Sequence, residues 1–290
     1  MTIIFNISGG IGKCIAATAV CEAIMKQYPD AKLIVGSAYP DVFIGNPFVY
    51  RTFMFGGVNY FYSDYVQGKD VKVFSHDPYL ETAFINREKH LIEIWCDMYG
   101  IKYNGETPKV FLTQEEINNY SKKYLSEKPV LALQTNGGAP DQQNKYSWAR
   151  DIPDHVALAV IEEFKKDYLI AHIRRDDQKN YPNTVSVTDN FRSVATFLMM
   201  SQKRLLIDSF AQHTAAAFNL PSTVLWVVND PKVFGYKIHD NILANPETKQ
   251  PDLKSSFLQK YDILGDPIQF PYNNQEEIFD IKPIIDSLKK

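Results

Sequence analysis

Residues 6–18 read NISGGIGKCIAAT. The apolar run Ile3, Ile4, Phe5 precedes this stretch, and AATAVCEAIMKQY continues it. In that continuation Ala16, Ala19, Val20, Ala23 and Ile24 fall on one helical face. The reading is strand, glycine turn, helix, with the strand over 2–7 and the helix over 15–27. The pattern then repeats. AKLIVGS (31–37) and DVKVFSH (70–76) read as further strands. EKHLIEIWCDMYGI (88–101) reads as a helix that stops at Gly100, and the helix over 113–125 opens with a Thr113–Glu116 capping box.

SEKP (126–129) is the candidate hinge, because the alternation restarts after it. Strands are predicted over 130–135, 168–174, 204–208 and 222–228. Helices are predicted over 152–167, with Pro153 in the first turn, and over 189–202 and 213–219. Strands alternating with helices imply parallel sheets covered on both faces. The alternation occurs once on each side of the hinge, so the expected fold is α/β, two Rossmann-like domains facing across a cleft. The expected divisions are 1–127, 128–272, and a last helix within 273–290 that packs back on the first domain.

The glycine turn invites a phosphate-loop reading, and the spacing argues against it. G-x-x-x-x-G-K-[ST] would put its first glycine at position 7, which is Ile7, and a magnesium-binding hydroxyl at 14, which is Cys14. A thiol is a poor ligand for hard magnesium. Gly9, Gly10 and Gly12 instead suit a tight strand-to-helix turn whose backbone approaches a ligand.

The chain has 290 residues, 45% hydrophobic and 22% charged, with a net charge of −3. The sequence pI of about 6.1 gives no basic surplus. A nucleic-acid partner is therefore not favoured. Three cysteines with no C-x-x-C spacing suggest neither a disulfide framework nor a zinc knuckle, and imply reduced thiols and a cytoplasmic location. No apolar run reaches the ~18 residues of a membrane span. No clear Asp-x-Asp motif stands beside a strand, so neither metal nor cofactor is expected.

Residues 206–219 read LIDSFAQHTAAAFN and lead into LPSTVLWVVNDPKVFGY. This resembles the C-terminal motif of the family 9 glycosyltransferases, the bacterial heptosyltransferase-like group. There an Asp-Ser/Thr-x-x-x-His segment opens a helix, and a Pro-initiated strand and a Asp-Pro loop follow. GGIGKCIAATAVCEAIMKQYPDAKLIVGS resembles that family's glycine opening, IGNPFVYR its Asn-Pro segment, HLIEIWCDMYGI its helix before the linker, and NKYSWARDIPDHVALA its Lys-x-Trp-Pro segment. The resemblance implies the two-domain GT-B glycosyltransferase fold. It also implies a nucleotide-sugar donor held by the second domain, and a saccharide or other hydroxyl acceptor held by the first.

On that basis the donor site comprises Thr135, Asn136, Lys145, Arg174, Asp208, Ser209, Phe210 and His213. Amides at a helix start, the Ser209 hydroxyl and the His213 ring would meet a pyrophosphate. The family carries a general-base aspartate in its N-terminal loop, and the matching residue here is Lys13. A lysine of ordinary pKa is protonated at neutral pH and cannot be the base. Lys13 is therefore expected to bind an anion. His76 or Asp77, at the end of the VKVFSHDP strand, would take the proton. The resulting expectation is an inverting, metal-independent glycosyltransferase. Its competitors are a silent nucleotide- or sugar-binding protein of the same fold and a deviant P-loop ATPase.

Overall fold

The computed structural model describes residues 1–56, 58–137, 147–250 and 269–290. Its strands are β1 (Thr2–Ile7), β2 (Lys32–Ser37), β3 (Arg51–Met54), β4 (Val71–Phe74), β5 (Val130–Leu133), β6 (Leu169–Ile173), β7 (Val185–Val187), β8 (Lys203–Ile207), β9 (Thr223–Trp226) and β10 (Asp240–Leu243). Its α-helices are α1 (Ile11–Gln27), α2 (Phe61–Tyr65), α3 (Thr82–Ile85), α4 (Leu91–Met98), α5 (Gln114–Ser121), α6 (Asp154–Phe164), α7 (Phe191–Met200), α8 (Phe210–Ala217), α9 (Pro231–Phe234) and α10 (Ile281–Lys289).

The strands form two separate parallel sheets, ordered β3-β2-β1-β4 and β10-β9-β8-β5-β6-β7. Central strands of such sheets are buried on both faces and must be apolar throughout. β1 comes close: Ile3, Ile4, Phe5 and Ile7 are all buried, with the half-buried Asn6 a polar exception near its carboxyl end. It pairs Phe5 with Val35 on one side and with Phe74 on the other. In the second sheet alternate residues serve opposite layers. Leu131, Leu133, Leu205, Ile207 and Leu225 face α6 and α10. Ala132, Leu206, Val224 and Trp226 face the layer that also holds α1, α7 and α8.

α1 is buried nearly all round, as expected of a helix with neighbours on every side. It packs on the first sheet, on α4 and, across the seam between the halves, on α8. Twelve residues, Lys13 to Ile24, are buried in succession. The helix begins at Ile11, four residues before the predicted start, because Gly10 already serves as its N-cap. α8 likewise begins at Phe210, ahead of His213. Pro153 is the N-cap of α6 and precedes its first turn.

A second seam contact joins α5 and α7. Arg192 of α7 grips the Glu116 carboxylate with two nitrogens and gives further bonds to the carbonyls of Asp41 (2.9 Å) and Phe111 (2.7 Å). The planar guanidinium suits this fourfold grip where an ammonium would not. Thr113 and Glu116 form the predicted capping box.

The last helix corrects an expectation. α10 packs on α6 and on β8, β9 and β10 of the second sheet, away from the first half. Ile284 and Leu288 enter the layer formed by Val156, Val160 and Ile161, while Ser287 meets Thr223 at 2.7 Å. Lys290 pairs with Asp240 at 2.9 Å. The second sheet's outer face needs this cover beside α6, and the strongly amphipathic α10 supplies it.

Candidate active site

In an open parallel sheet ligands collect at the carboxyl edge where the strand order reverses. The first sheet reverses between β1 and β4, the second between β5 and β8. Each crevice is built from residues that the sequence singles out.

At the first crevice the chain leaves β1 through Ser8 and Gly9. Gly9 has φ +102°, a conformation that disfavours any side chain. Its missing Cβ also leaves room for the Lys13 stem, which would otherwise stand 3.1 Å away. Lys13 is only 6% exposed. Its Nζ lies 2.6 Å from Asp77 Oδ1 and 4.3 Å from the centre of the Tyr79 ring. Burial lowers the Lys13 pKa, and Asp77 opposes that shift. Asp77 follows β4 and caps the turn over 78–80, where Oδ1 also accepts from the Tyr79 amide at 2.9 Å. Its Oδ2 accepts from Ser8 Oγ at 3.3 Å. The carboxylate beside Lys13 is therefore the chain's own. His76 is exposed, and its carbonyl accepts from Tyr99 Oη at 2.8 Å.

At the second crevice Asp208 directly follows β8 and is buried. Burial raises its carboxyl pKa, while Arg150 and the Asn229 amide draw it down. Ser209 is the N-cap of α8 without capping it by side chain; its hydroxyl accepts from Gln134 Nε2 at 3.3 Å. Gly137 is close by: a Cβ on it would lie 3.5 Å from Ser209 Oγ. Thr135 is fully buried and Asn136 half-buried at the end of β5.

His213 stands one turn inside α8, 5% exposed. Its Nδ1 meets Tyr236 Oη at 2.8 Å and its Nε2 meets Gln212 Nε2 at 3.1 Å. Burial, reinforced by the nearby His90 and His239, lowers its pKa to about 3, so the ring is neutral. The ring faces α1: a Cβ on Gly12 would sit 2.9 Å from His213 Cδ2. Only glycine permits this approach. It sets the N-termini of α1 and α8 side by side, where their unpaired amides and aligned dipoles favour an anion.

The structure thus gathers Thr135, Asn136, Asp208, Ser209, Phe210 and His213 at one crevice and Gly9, Gly10, Lys13 and Asp77 at the other. Thr135 and His213 are enclosed, with their polar atoms engaged by protein groups. Arg174 is turned into its own loop, where it bonds the carbonyls of Asp176 and Gln178 and the Ser186 hydroxyl. Lys145 lies outside the described residues. Ser8, Tyr79, Gln134, Arg150, Asp151 and Asn229 join the crevices without having been singled out. Their partners are 14 or more residues away or follow a turn, and no spacing rule marks them. Among the described residues, no three His, Cys, Asp or Glu side chains converge as metal ligands. None of the described helices is long and apolar enough to cross a membrane.

Two parallel sheets whose reversal points face one another across abutting helix N-termini define the GT-B glycosyltransferase fold. The fold is that of the family 9 glycosyltransferases, heptosyltransferases among them. The chain is similar to the glycosyl transferase family 9 protein of Veillonella parvula DSM 2008, with 12% identity, a TM-score of 0.66, and 99% of this chain and 96% of that one covered. It is also similar to the Escherichia coli ADP-heptose LPS heptosyltransferase II, with 12% identity, a TM-score of 0.63, and 84% and 90% covered. A third similar structure is the iron-containing dodecameric glycosyltransferase TibC of enterotoxigenic E. coli H10407, with 11% identity, a TM-score of 0.63, and 99% and 76% covered. No protein-family profile and no curated protein sequence matches the chain.

Proposed function

We propose that the protein is a glycosyltransferase that moves a sugar from a nucleoside-diphosphate donor to an acceptor hydroxyl with inversion. The observation that carries this reading is the juxtaposition of Asp77 at one crevice with the open N-terminus of α8 at the other, fixed by the Gly12–His213 contact. Residues 1–127 form the acceptor side and 128–272 the donor side.

The donor diphosphate sits against the amides of Phe210 and Ala211 and the Ser209 hydroxyl, with the Arg150 charge nearby. These dipoles are fixed before the reaction and meet the charge that develops on the leaving group. Asp77 is the general base. Oδ1 is tied to Lys13 and the Tyr79 amide, which leaves Oδ2, beside Ser8, to take the acceptor proton. As that proton moves, the acceptor oxygen bonds to the anomeric carbon from the face opposite the diphosphate. The anomeric bond to the diphosphate breaks and its electron pair leaves with the nucleotide. Lys13 acts on Asp77: it neutralises a carboxylate that would otherwise repel the donor. No step requires a metal ion. The acceptor is a saccharide; the heptosyltransferase likeness favours a lipopolysaccharide-type one over a modified DNA base.

The Lys13–Asp77 pair also supports a second reading, a binding protein that has lost transfer, because a paired carboxylate is a weaker base. One experiment separates them. UDP, ADP, GDP and CMP sugars are screened by thermal shift without added metal, and a stabilising sugar nucleotide is then incubated with candidate acceptors. Release of free nucleotide together with a glycosylated product establishes transfer. Stabilisation without turnover of any acceptor leaves the binding protein. A panel with no stabilising nucleotide defeats both.

A further inference from the structure

The segment 148–152 crosses the carboxyl edge of the second sheet. Ala149 packs on Val228, just past β9, and the Ile152 amide donates to the Thr135 carbonyl, just past β5, at 2.8 Å. β8 lies between these two strands and ends at the donor crevice. The segment is therefore a strap over that crevice, and Asp151 is its inward tie. Asp151 Oδ2 accepts from Asn136 Nδ2 at 2.8 Å, and Oδ1 accepts from the Gly137 amide at 3.1 Å.

The polar chain continues inward with a fixed direction. The Thr135 hydroxyl donates to Asn136 Oδ1 at 2.7 Å, which uses its one proton. The contact between Thr135 Oγ1 and His172 Nε2, 2.8 Å, must then be donated by the ring. His172 Nδ1, buried and without a partner, is the bare nitrogen of that tautomer. Burial, aided by Arg174, lowers the His172 pKa to about 4 and keeps the ring neutral. Three groups thus donate in series, His172 to Thr135, Thr135 to Asn136 and Asn136 to the Asp151 carboxylate. Asp151 is the acceptor-only end that gives the line its direction.

We propose that Asp151 is a positioning residue for the donor: it holds the Asn136–Gly137 turn as the wall of the crevice opposite Ser209, so that a nucleoside diphosphate reaches the N-terminus of α8. This rests on the reading that the donor binds at that crevice. Asp151 does not itself touch the ligand. Both its oxygens are taken up by the turn, and a bare carboxylate there would repel a diphosphate. With the tie cut, the turn is free to close on Ser209, which Gly137 already approaches.

The test uses full-length protein and calorimetry with whichever of UDP, ADP, GDP or CMP the wild type binds. Asp151→Asn keeps the shape but sets an amide against the Asn136 amide. It is expected to weaken nucleotide binding about tenfold, the effect of one charge-assisted bond, and to leave the unliganded melting temperature near wild type. The donor KM rises in step while the acceptor KM stays unchanged. Asp154→Asn, which alters an exposed carboxylate three residues on, binds as wild type. Asn136→Ala removes the middle link. If Asp151 acts through Asn136, the double variant loses no more affinity than the worse single one. Additive losses mean that the two residues act separately, and they overturn the positioning role. Wild-type affinity in Asp151→Asn overturns it as well, with the donor reading left standing. A wild type that binds none of the four nucleotides removes the donor reading, and this inference with it.

Discussion

At the scale of single residues the site turns on Lys13, Asp77 and Gly12. In the proposed reaction Asp77, tied to Lys13 and Ser8, is the general base, while the His76 side chain is exposed and its carbonyl binds Tyr99. Asp77→Asn is accordingly expected to lower kcat by roughly 10²–10⁴-fold, the usual effect of removing a general base. His76→Ala should stay near wild type. Steady-state kinetics on the two variants decide between them, and the reverse pattern moves the role to His76. Gly12 makes a different, structural prediction. A methyl group there would stand 2.9 Å from the His213 ring, which is packed and cannot retreat freely. Gly12→Ala should lose about 1–3 kcal/mol, the usual range for overpacking, visible as a lower melting temperature. The sequence marks Gly12 as a turn residue. Its reason for being glycine lies in the other half of the molecule, 201 positions further on at His213, and no local pattern contains that.

At the scale of elements, legibility followed length and periodicity. β1 and β2 stand within a residue of their predicted spans and α5 starts within a residue of its predicted start, because a buried parallel strand and a capping box both have strong local signals, whereas α5 ends at Ser121, four residues early. α2, α3 and α9 have only 5, 4 and 4 residues, too short for a 3.6-residue period to register. The edge strands β7 and β10 are similarly brief. α10 was legible as a helix but not in its partner: an apolar stripe states that a face is buried, never against what. Its stripe predicts a measurable contribution all the same. Leu288 is 2% exposed and packs under α6 and the second sheet. Leu288→Ala should lose about 2–5 kcal/mol by denaturant titration, with nucleotide affinity unchanged in the folded fraction. The second crevice shows the same division. Asn136 and Asp208 stand just past strand ends, and the family resemblance helps to single out both. Arg174, also at a strand end, is drawn away by the carbonyls of its own loop, a competition that only the folded backbone reveals.

At the scale of the whole molecule the two halves meet along a seam closed at one end by Arg192 and at the other by histidines. His90 belongs to the first half, at the start of α4; His213 and His239 belong to the second. Their rings stand 5.3, 5.5 and 6.0 Å from that of Tyr236, which they surround. Burial lowers all three, to about 4 for His90, about 3 for His213 and about 4 for His239. In the unfolded chain each returns to 6.5. Above that value both states are neutral, and pH has no effect through these groups. Between 6.5 and about 4 the unfolded chain takes up protons that the folded one refuses, so stability falls as pH falls. Each fully refused proton removes about 1.4 kcal/mol per pH unit. Glu116, which Arg192 holds near 2, acts in a lower window, below its ordinary value of 4.5. The two ends of the seam are thus separable by pH. Urea titrations at a series of pH values should show stability declining from about pH 6.5 downward. His90→Gln should make that slope shallower by up to one proton, leaving the steeper loss below pH 4.5 in place. A wild-type slope that is flat between pH 6.5 and 4.5 would mean that the histidines titrate normally in the fold, and that the seam around Tyr236 is open to water.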